Sequence, residues 1–347
     1  MSRHVDGATD FDYLAARLHA RWSQAVRGPE LRALLDSGIP ALARTLAGRE
    51  IDIARPAEIQ KQLTLQLAAE LEAMAGEAGG ASPAAAWFRC FTGRLFLENL
   101  KTLLRQRLQP QPEGELAFLL LDGPGIPPLD TARFLAAPAL AAAAPWLPPT
   151  PFTAGAVPVL AAFDRQPDLF AASTRLDTLF HETLATCATT LPPPMRPAAT
   201  DLAAGIGDLF NLVLLLRNRE VYRLPAGQVR PLLAPVGSLA RGGNGTLALL
   251  SDATLPPERF LAALPAAPRA QLAPVWAEPL HHRENQLWAG LYRRACRWFN
   301  DFAAPGSAAA AYPLLRQMEW RNLCRLFEGL RFHLEPAELR ALLLCLD

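Results

Sequence analysis

Lysine is nearly absent from this chain: of 34 basic residues, two are lysines, Lys61 and Lys101, and the rest are arginines. With the abundance of Ala, Leu and Pro, this reflects a bias toward GC-rich codons before it reflects a function. Charge of either sign is also scarce, 19% of residues, and it nearly cancels to a net +1. That balance argues against a basic nucleic-acid surface, and a hydrophobic share of 51% argues against a disordered chain. Cysteine is sparse and scattered. Cys90, Cys187, Cys296, Cys324 and Cys345 form no C-x-x-C pair, so neither a disulfide framework nor a zinc site is implied. Unbroken apolar runs are missing too. The most apolar stretch, about residues 134–163, is interrupted by Pro138, Pro145, Pro148, Pro149, Pro151 and Pro158, which excludes a regular membrane-spanning helix there. Met1-Ser2-Arg3-His4-Val5-Asp6 leads into no apolar secretory segment, so the expected location is cytoplasmic, with any membrane contact peripheral.

Alternating runs of Val, Ile, Thr and Tyr are almost lacking, while Leu, Ala, Arg and Glu dominate, so the fold class is all-α. Tyr13, Leu14, Arg17, Leu18 and Trp22 mark an early helix. Leu31, Leu34 and Leu35 mark a second after Gly28-Pro29, and Ile59, Leu63, Leu67 and Leu71 form a stripe on a third that ends in the Gly76–Pro83 segment.

Catalytic motifs are absent as well: no G-x-x-x-x-G-K-[ST] loop, no G-x-S-x-G elbow, no H-E-x-x-H and no aspartate cluster for metal-diphosphate. No catalytic, cofactor-binding or metal-ligating residue is therefore assigned. Asp122-Gly123-Pro124-Gly125 and Gly242-Gly243-Asn244-Gly245 read as loops ending helical units rather than phosphate cradles. Adjacent His281 and His282 should point apart, which disfavours a shared metal. Arg293, Arg294, Arg297 and Trp298 read as a solvated or protein-contacting face at near-zero net charge. A pocket using His181, Glu182 and Arg175 is the residual enzyme-like reading.

What the sequence does hold is an internal repeat. Asn-Leu recurs at Asn99-Leu100, Asn211-Leu212 and Asn322-Leu323, on leucine-rich helices, with the asparagines 112 and 111 positions apart (211 − 99 and 322 − 211). Pro112, Pro225 and Pro336 follow, and seven and eight positions later come Leu119-Leu120, Leu232-Leu233 and Leu343-Leu344. Each unit thus reads as a hairpin whose second helix opens with proline in its first turn. Leu176–Phe180 and Asn285–Ala289 suggest a lead helix ahead of the second and third units, a part the Tyr13 helix takes in the first. The repeated amides suit bridging to a neighbouring helix end or loop. Asp208 and Glu319, three residues before their asparagines, are placed to hold the amide, whereas the first unit has Phe96 there with Glu98 as its nearest acid.

The repeats are similar to a known family, the C-type subunits of V/A-type rotary ATPases, whose eukaryotic counterpart is the d-type subunit of the vacuolar ATPase. Its carriers here are Tyr13-x-x-Ala16-Arg17, Glu98-Asn99-Leu100-Lys101-x-x-Leu104-Arg105, Leu176-Asp177-x-x-Phe180, Phe210-Asn211-Leu212, and the run Tyr312–Leu323 continuing through Gly329 and Leu334-x-Pro336-x-Glu338-Leu339. The resemblance implies a funnel of three similar helical subdomains about a pseudo-threefold axis: residues 1–138 with an insertion at about 27–80, residues 139–268, and residues 269–347. It implies a non-catalytic rotor subunit without cofactor, lying on the cytoplasmic face of the inner membrane. There it would join the central axle subunits of D and F type to the proteolipid ring, without nucleic acid, and would meet the membrane through its partners. Its partner contacts have no short motif, so no partner-binding residue is carried over. The Pro138–Pro158 stretch and the alanine-rich Ala303–Ala311 are unusual for connectors in such a fold. The alternative from the residues alone is a free-standing helical scaffold or adaptor.

Overall fold

A computed structural model describes residues 10–49, 51, 56–242 and 244–344. Met1–Asp6, Gly243 and Cys345 lie outside the described residues. Among the described residues, every regular element is a helix. In chain order the α-helices are α1 (Phe11–Trp22), α2 (Gly28–Ala47), α3 (Pro56–Glu77), α4 (Pro83–Leu108), α5 (Glu113–Leu119), α6 (Thr131–Ala136), α7 (Thr153–Arg165), α8 (Leu169–Thr190) and α9 (Arg196–Arg217). The short helices α10 (Ala226–Val229), α11 (Ser238–Arg241), α12 (Asn244–Leu250), α13 (Pro257–Ala263) and α14 (Ala266–Leu272) follow, then α15 (Leu280–Phe299), α16 (Pro305–Arg331) and α17 (Pro336–Leu342).

Local chemistry sets the starts of the long helices. Ser82 accepts from the Ala85 N–H at 3.1 Å, with Pro83 in the first turn of α4, and Asp168 accepts from Ala171 at 2.9 Å to open α8. The helix after Gly28-Pro29 forms as read, and it bends at Gly38, which takes a positive φ of 72° two residues before Pro40.

The long helices that carry the repeated asparagines, α4, α9 and α16, are linked through the lead helices. Helix α8 packs on both α4 and α9, and α15 on both α9 and α16. Helix α1 packs on α16 and is tied to α3 by Arg17–Glu77 at 2.9 Å, so it lies against the third repeat. At the hub is α16, which meets α1, α2, α3, α4, α9, α15 and α17. Alanine makes this crowding possible: Ala308–Ala311 are buried, and Trp87 donates to the Ala310 carbonyl at 3.1 Å. The Ala303–Ala311 segment is therefore largely the first turns of the longest helix rather than a connector. The proline-rich stretch, for its part, forms a 3-10 helix over Leu140–Trp146 and then α7, with Pro158 inside it.

One hydrophobic core runs through all three repeats. A second joins Leu31, Leu35, Leu42 and Leu46 of α2 to Leu323, Leu326 and Leu339 of the last hairpin. The N-terminal insertion and the C-terminal hairpin thus close on each other. Arg196–Tyr222 is long and apolar enough, by length and composition, to cross a membrane. Its apolarity is already used, because 67% of its most apolar window is buried within the protein, where α9 packs on α8, α15 and α16.

Candidate functional site

The repeated asparagines do the same thing three times. Asn99 donates from Nδ2 to the Leu121 carbonyl at 2.7 Å and accepts the Leu121 N–H at 2.8 Å. Asn211 clasps Ala234 at 2.9 and 2.8 Å, and Asn322 clasps Leu344 at 2.8 and 2.8 Å. A carboxamide presents a donor and an acceptor side by side and so pairs with both backbone groups of a single residue, as a neighbouring strand would. The clasped residue follows an extended one with nearly identical dihedrals, Leu120 (φ −76°, ψ 140°), Leu233 (−75°, 139°) and Leu343 (−78°, 141°). Each clasp lies just past the second, short helix of its hairpin and pins the exit segment to the first, with each bond contributing about 0.5–1.5 kcal/mol.

The clasps also correct the repeat register. Leu343-Leu344 corresponds to Leu120-Leu121 and to Leu233-Ala234, one position on from the leucine pairs counted from the prolines. The cause is a shift in helix start: Pro112 and Pro225 are caps outside α5 and α10, while Pro336 is the first residue of α17 behind a Glu335/Glu338 capping box. A second clasp, missed in the sequence, lies seven residues after the first in two repeats. Gln106 pairs with Gln111 across five positions (2.8 and 2.9 Å) and Asn218 with Leu224 across six (3.1 and 2.8 Å). The extra residue is taken up by a π-helical turn over Asn218–Tyr222, closed by Arg223 in the left-handed region at φ 53°. A polar amide recurring seven positions on was the available signal.

The acids do not hold the amides. Asp208 caps α11 from outside, accepting from the Ser238 and Leu239 N–H groups at 2.9 Å each and from the Ser238 hydroxyl at 2.6 Å. Glu319 reaches across 293 positions to accept the Val26 N–H at 2.7 Å, and pairs with Arg49 at 2.7 Å and with Arg316. Both carboxylates therefore secure a backbone turn facing their helix, one from the same repeat and one from the N-terminal segment. Phe96 of the first repeat is simply buried. Beside Glu319, Glu70 pairs with Arg316 at 2.6 Å and takes the Tyr312 hydroxyl bond. Burial, then the Glu70 charge, drives that hydroxyl well above its ordinary pKa, so it stays a donor.

The remaining flagged residues do not converge. Arg175 and Glu182 line a cleft of about 510 Å³ between α7 and α8, and Arg175 donates to the Pro231 carbonyl at 2.7 Å. His181 lies instead in the core, its ring 4.5 Å from that of Phe210 and its Nδ1 without a partner. Burial, then the Arg94 and Lys101 charges, lowers its pKa well below the ordinary value and keeps it neutral. His281 and His282, expected to point apart, touch edge to face with ring centres 4.3 Å apart, and His282 faces Glu278. Among the described residues no group of His, Cys, Asp and Glu is arranged to hold a metal ion. Arg294 and Trp298 are not a free basic-aromatic face, since both engage Asp201, at 3.7 and 2.7 Å. Gly123 and Gly125 pack close to Leu65 and Glu72 of α3, and the segment after Gly243, read as a loop, begins α12 at Asn244.

No curated protein sequence matches the chain at a significant level. A family model does, and over nearly the whole chain: residues 14–342, from α1 to the end of α17, fit that of the ATP synthase (C/AC39) subunit. Those limits take in all three asparagine helices and the segment that closes on the last of them. The chain belongs to the ATP synthase (C/AC39) subunit family.

Proposed function

We propose that this chain is the non-catalytic coupling piece of a V/A-type rotary ATPase rotor, joining the central axle subunits of D and F type to the membrane proteolipid ring on the cytoplasmic face of the membrane. In this reading the three hairpin repeats stand about a pseudo-threefold axis as a funnel, with subdomain limits near 138 and 268. The observation that carries the reading is the threefold clasp: Asn99, Asn211 and Asn322 each pin the exit of their hairpin with the same two bonds. Such a device fixes the shape of a repeat and performs no chemistry. A torque-transmitting part needs that quality, because compliance between axle and ring would dissipate work. Asn99, Asn211 and Asn322, together with Asp208 and Glu319, are accordingly proposed as packing fixtures.

Affinity isolation of the tagged chain from native membranes, solubilised in mild detergent, tests this. Recovery of axle and proteolipid subunits in fixed stoichiometry is the expected result. Recovery of unrelated soluble proteins alone would instead make the chain a free-standing adaptor.

A further inference from the structure

Helices α3, α4 and α16 enclose a partly open cavity of about 440 Å³, within the roughly 300–1,000 Å³ typical of small-molecule sites. Most of its wall is apolar, including Leu67, Leu71, Phe91, Leu95 and Pro313. The charged groups on the wall are Lys61, Arg94, Arg321 and Glu98, three cations against one carboxylate. Glu98 is already engaged, by Lys101 at 3.1 Å and Arg94 at 3.7 Å. Lys61 donates to the Ala117 and Phe118 carbonyls at 3.1 and 3.0 Å.

Arg321 stands apart. Among the described residues it makes no hydrogen bond or ion pair, and its guanidinium lies over the Trp288 ring at 3.9 Å. Arg94 lies over the Phe180 ring at 5.1 Å and, unlike Arg321, also has carboxylates near it, Glu98 at 3.7 Å and Asp177 at 4.0 Å. Stacking fixes a guanidinium plane while leaving its N–H edge available. Burial, then repulsion from Arg94 and Arg325, lowers the Arg321 pKa to about 9, which leaves it a cation at neutral pH. The one carboxylate that favours its charge, Glu98, is the one already paired with Lys101 and Arg94. The same wall contains Trp320, whose indole N–H is shielded from water and has no acceptor. A part-buried arginine and a buried N–H, both without an acceptor beside an empty apolar volume, form the polar pole of a binding site rather than a packing defect.

We propose that this cavity binds an amphiphilic organic anion, an apolar body carrying one carboxylate or phosphate, with the anionic head taken by Arg321 and Arg94 and the body lying along α3 and α4. A planar guanidinium fork matches either head with two parallel hydrogen bonds. The site goes beyond the coupling role and stands or falls independently of it, since it needs no partner subunit.

Calorimetric titration of the full chain with decanoate, decyl phosphate, 1-decanol and decyltrimethylammonium, each kept below micelle formation, tests it. At least one of the two anions binds with one-to-one stoichiometry. The neutral and cationic analogues bind at least roughly tenfold more weakly, the loss expected when a charge-assisted pair is removed. Arg321→Gln weakens anion binding by a similar factor, and Trp320→Phe removes part of the ligand-induced change in tryptophan emission. Equal binding of decanol and decanoate, no anion binding at millimolar concentration, or unchanged affinity in Arg321→Gln would each overturn the proposal. The comparison of head groups uses the unaltered chain, so its outcome does not depend on a variant folding.

Discussion

Asn211 is fully buried and supplies both hydrogen bonds of the Ala234 backbone. Asn211→Ala therefore leaves a buried N–H and a buried C=O without partners, and a loss of about 2–5 kcal/mol is expected from the denaturant midpoint. Asn99→Ala loses less, because its clasp is only part-buried. His181 gives a pH signature. Its folded pKa is depressed, so its stabilising share is present above the unfolded value near 6.5 and is lost as pH falls from there toward the folded value. Thermal or urea unfolding between pH 7 and 5 should show stability declining by up to about 1.4 kcal/mol per pH unit from this group. His181→Phe, which fits among Phe180 and Phe210, flattens that part of the curve. At this scale the sequence revealed the asparagines through their near-constant spacing of 112 and 111 positions, but not their partners. A clasp joins a helix to the backbone of one residue 22 or 23 positions away, where no periodicity marks it. Asp208 and Glu319 were misassigned for a related reason: spacing along one helix says nothing about the backbone turns that face it.

Helices were legible wherever an apolar stripe or a cap announced them, as in α2, α3 and the last hairpin. Ala303–Ala311 misled because alanine without larger neighbours shows no stripe; burial on most sides of α16, not amphipathicity, is what those residues record. Close approach continues at Gly306, where a Cβ would come 2.6 Å from the carbonyl carbon and oxygen of Pro194. Gly306→Ala must push backbone against backbone, and we expect a loss of about 1–3 kcal/mol despite alanine's better helix propensity. A calorimetric melt checks this. A stability equal to or above that of the unaltered chain would mean that the approach of Pro194 to α16 is looser than described.

At the scale of the whole molecule, closure between the two ends of the chain matters most. Glu319 ties the Val26 backbone, Arg49 and Arg316 together, while α2 and the last hairpin share a hydrophobic core. Glu319→Gln removes the negative charge of this knot and should cost about 3 kcal/mol, at the lower end for a buried pair because Arg49 retains some contact with water. Hydrogen exchange should show residues 28–47 and 323–342 losing protection together while α8 and α9 keep theirs; protection lost uniformly would contradict a separate closing core. The family was readable from the repeats because their motifs recur in order along nearly the whole chain, over which the family also matches. The closure was not, because it joins residues nearly 300 positions apart. The coupling role itself is tested most directly in vesicles carrying the rotary ATPase, with and without this chain. Depletion is expected to abolish ATP-driven ion uptake while ATP hydrolysis by the catalytic head persists, and adding the purified chain back should restore uptake. Ion uptake that stays proportional to hydrolysis without the chain would contradict the account.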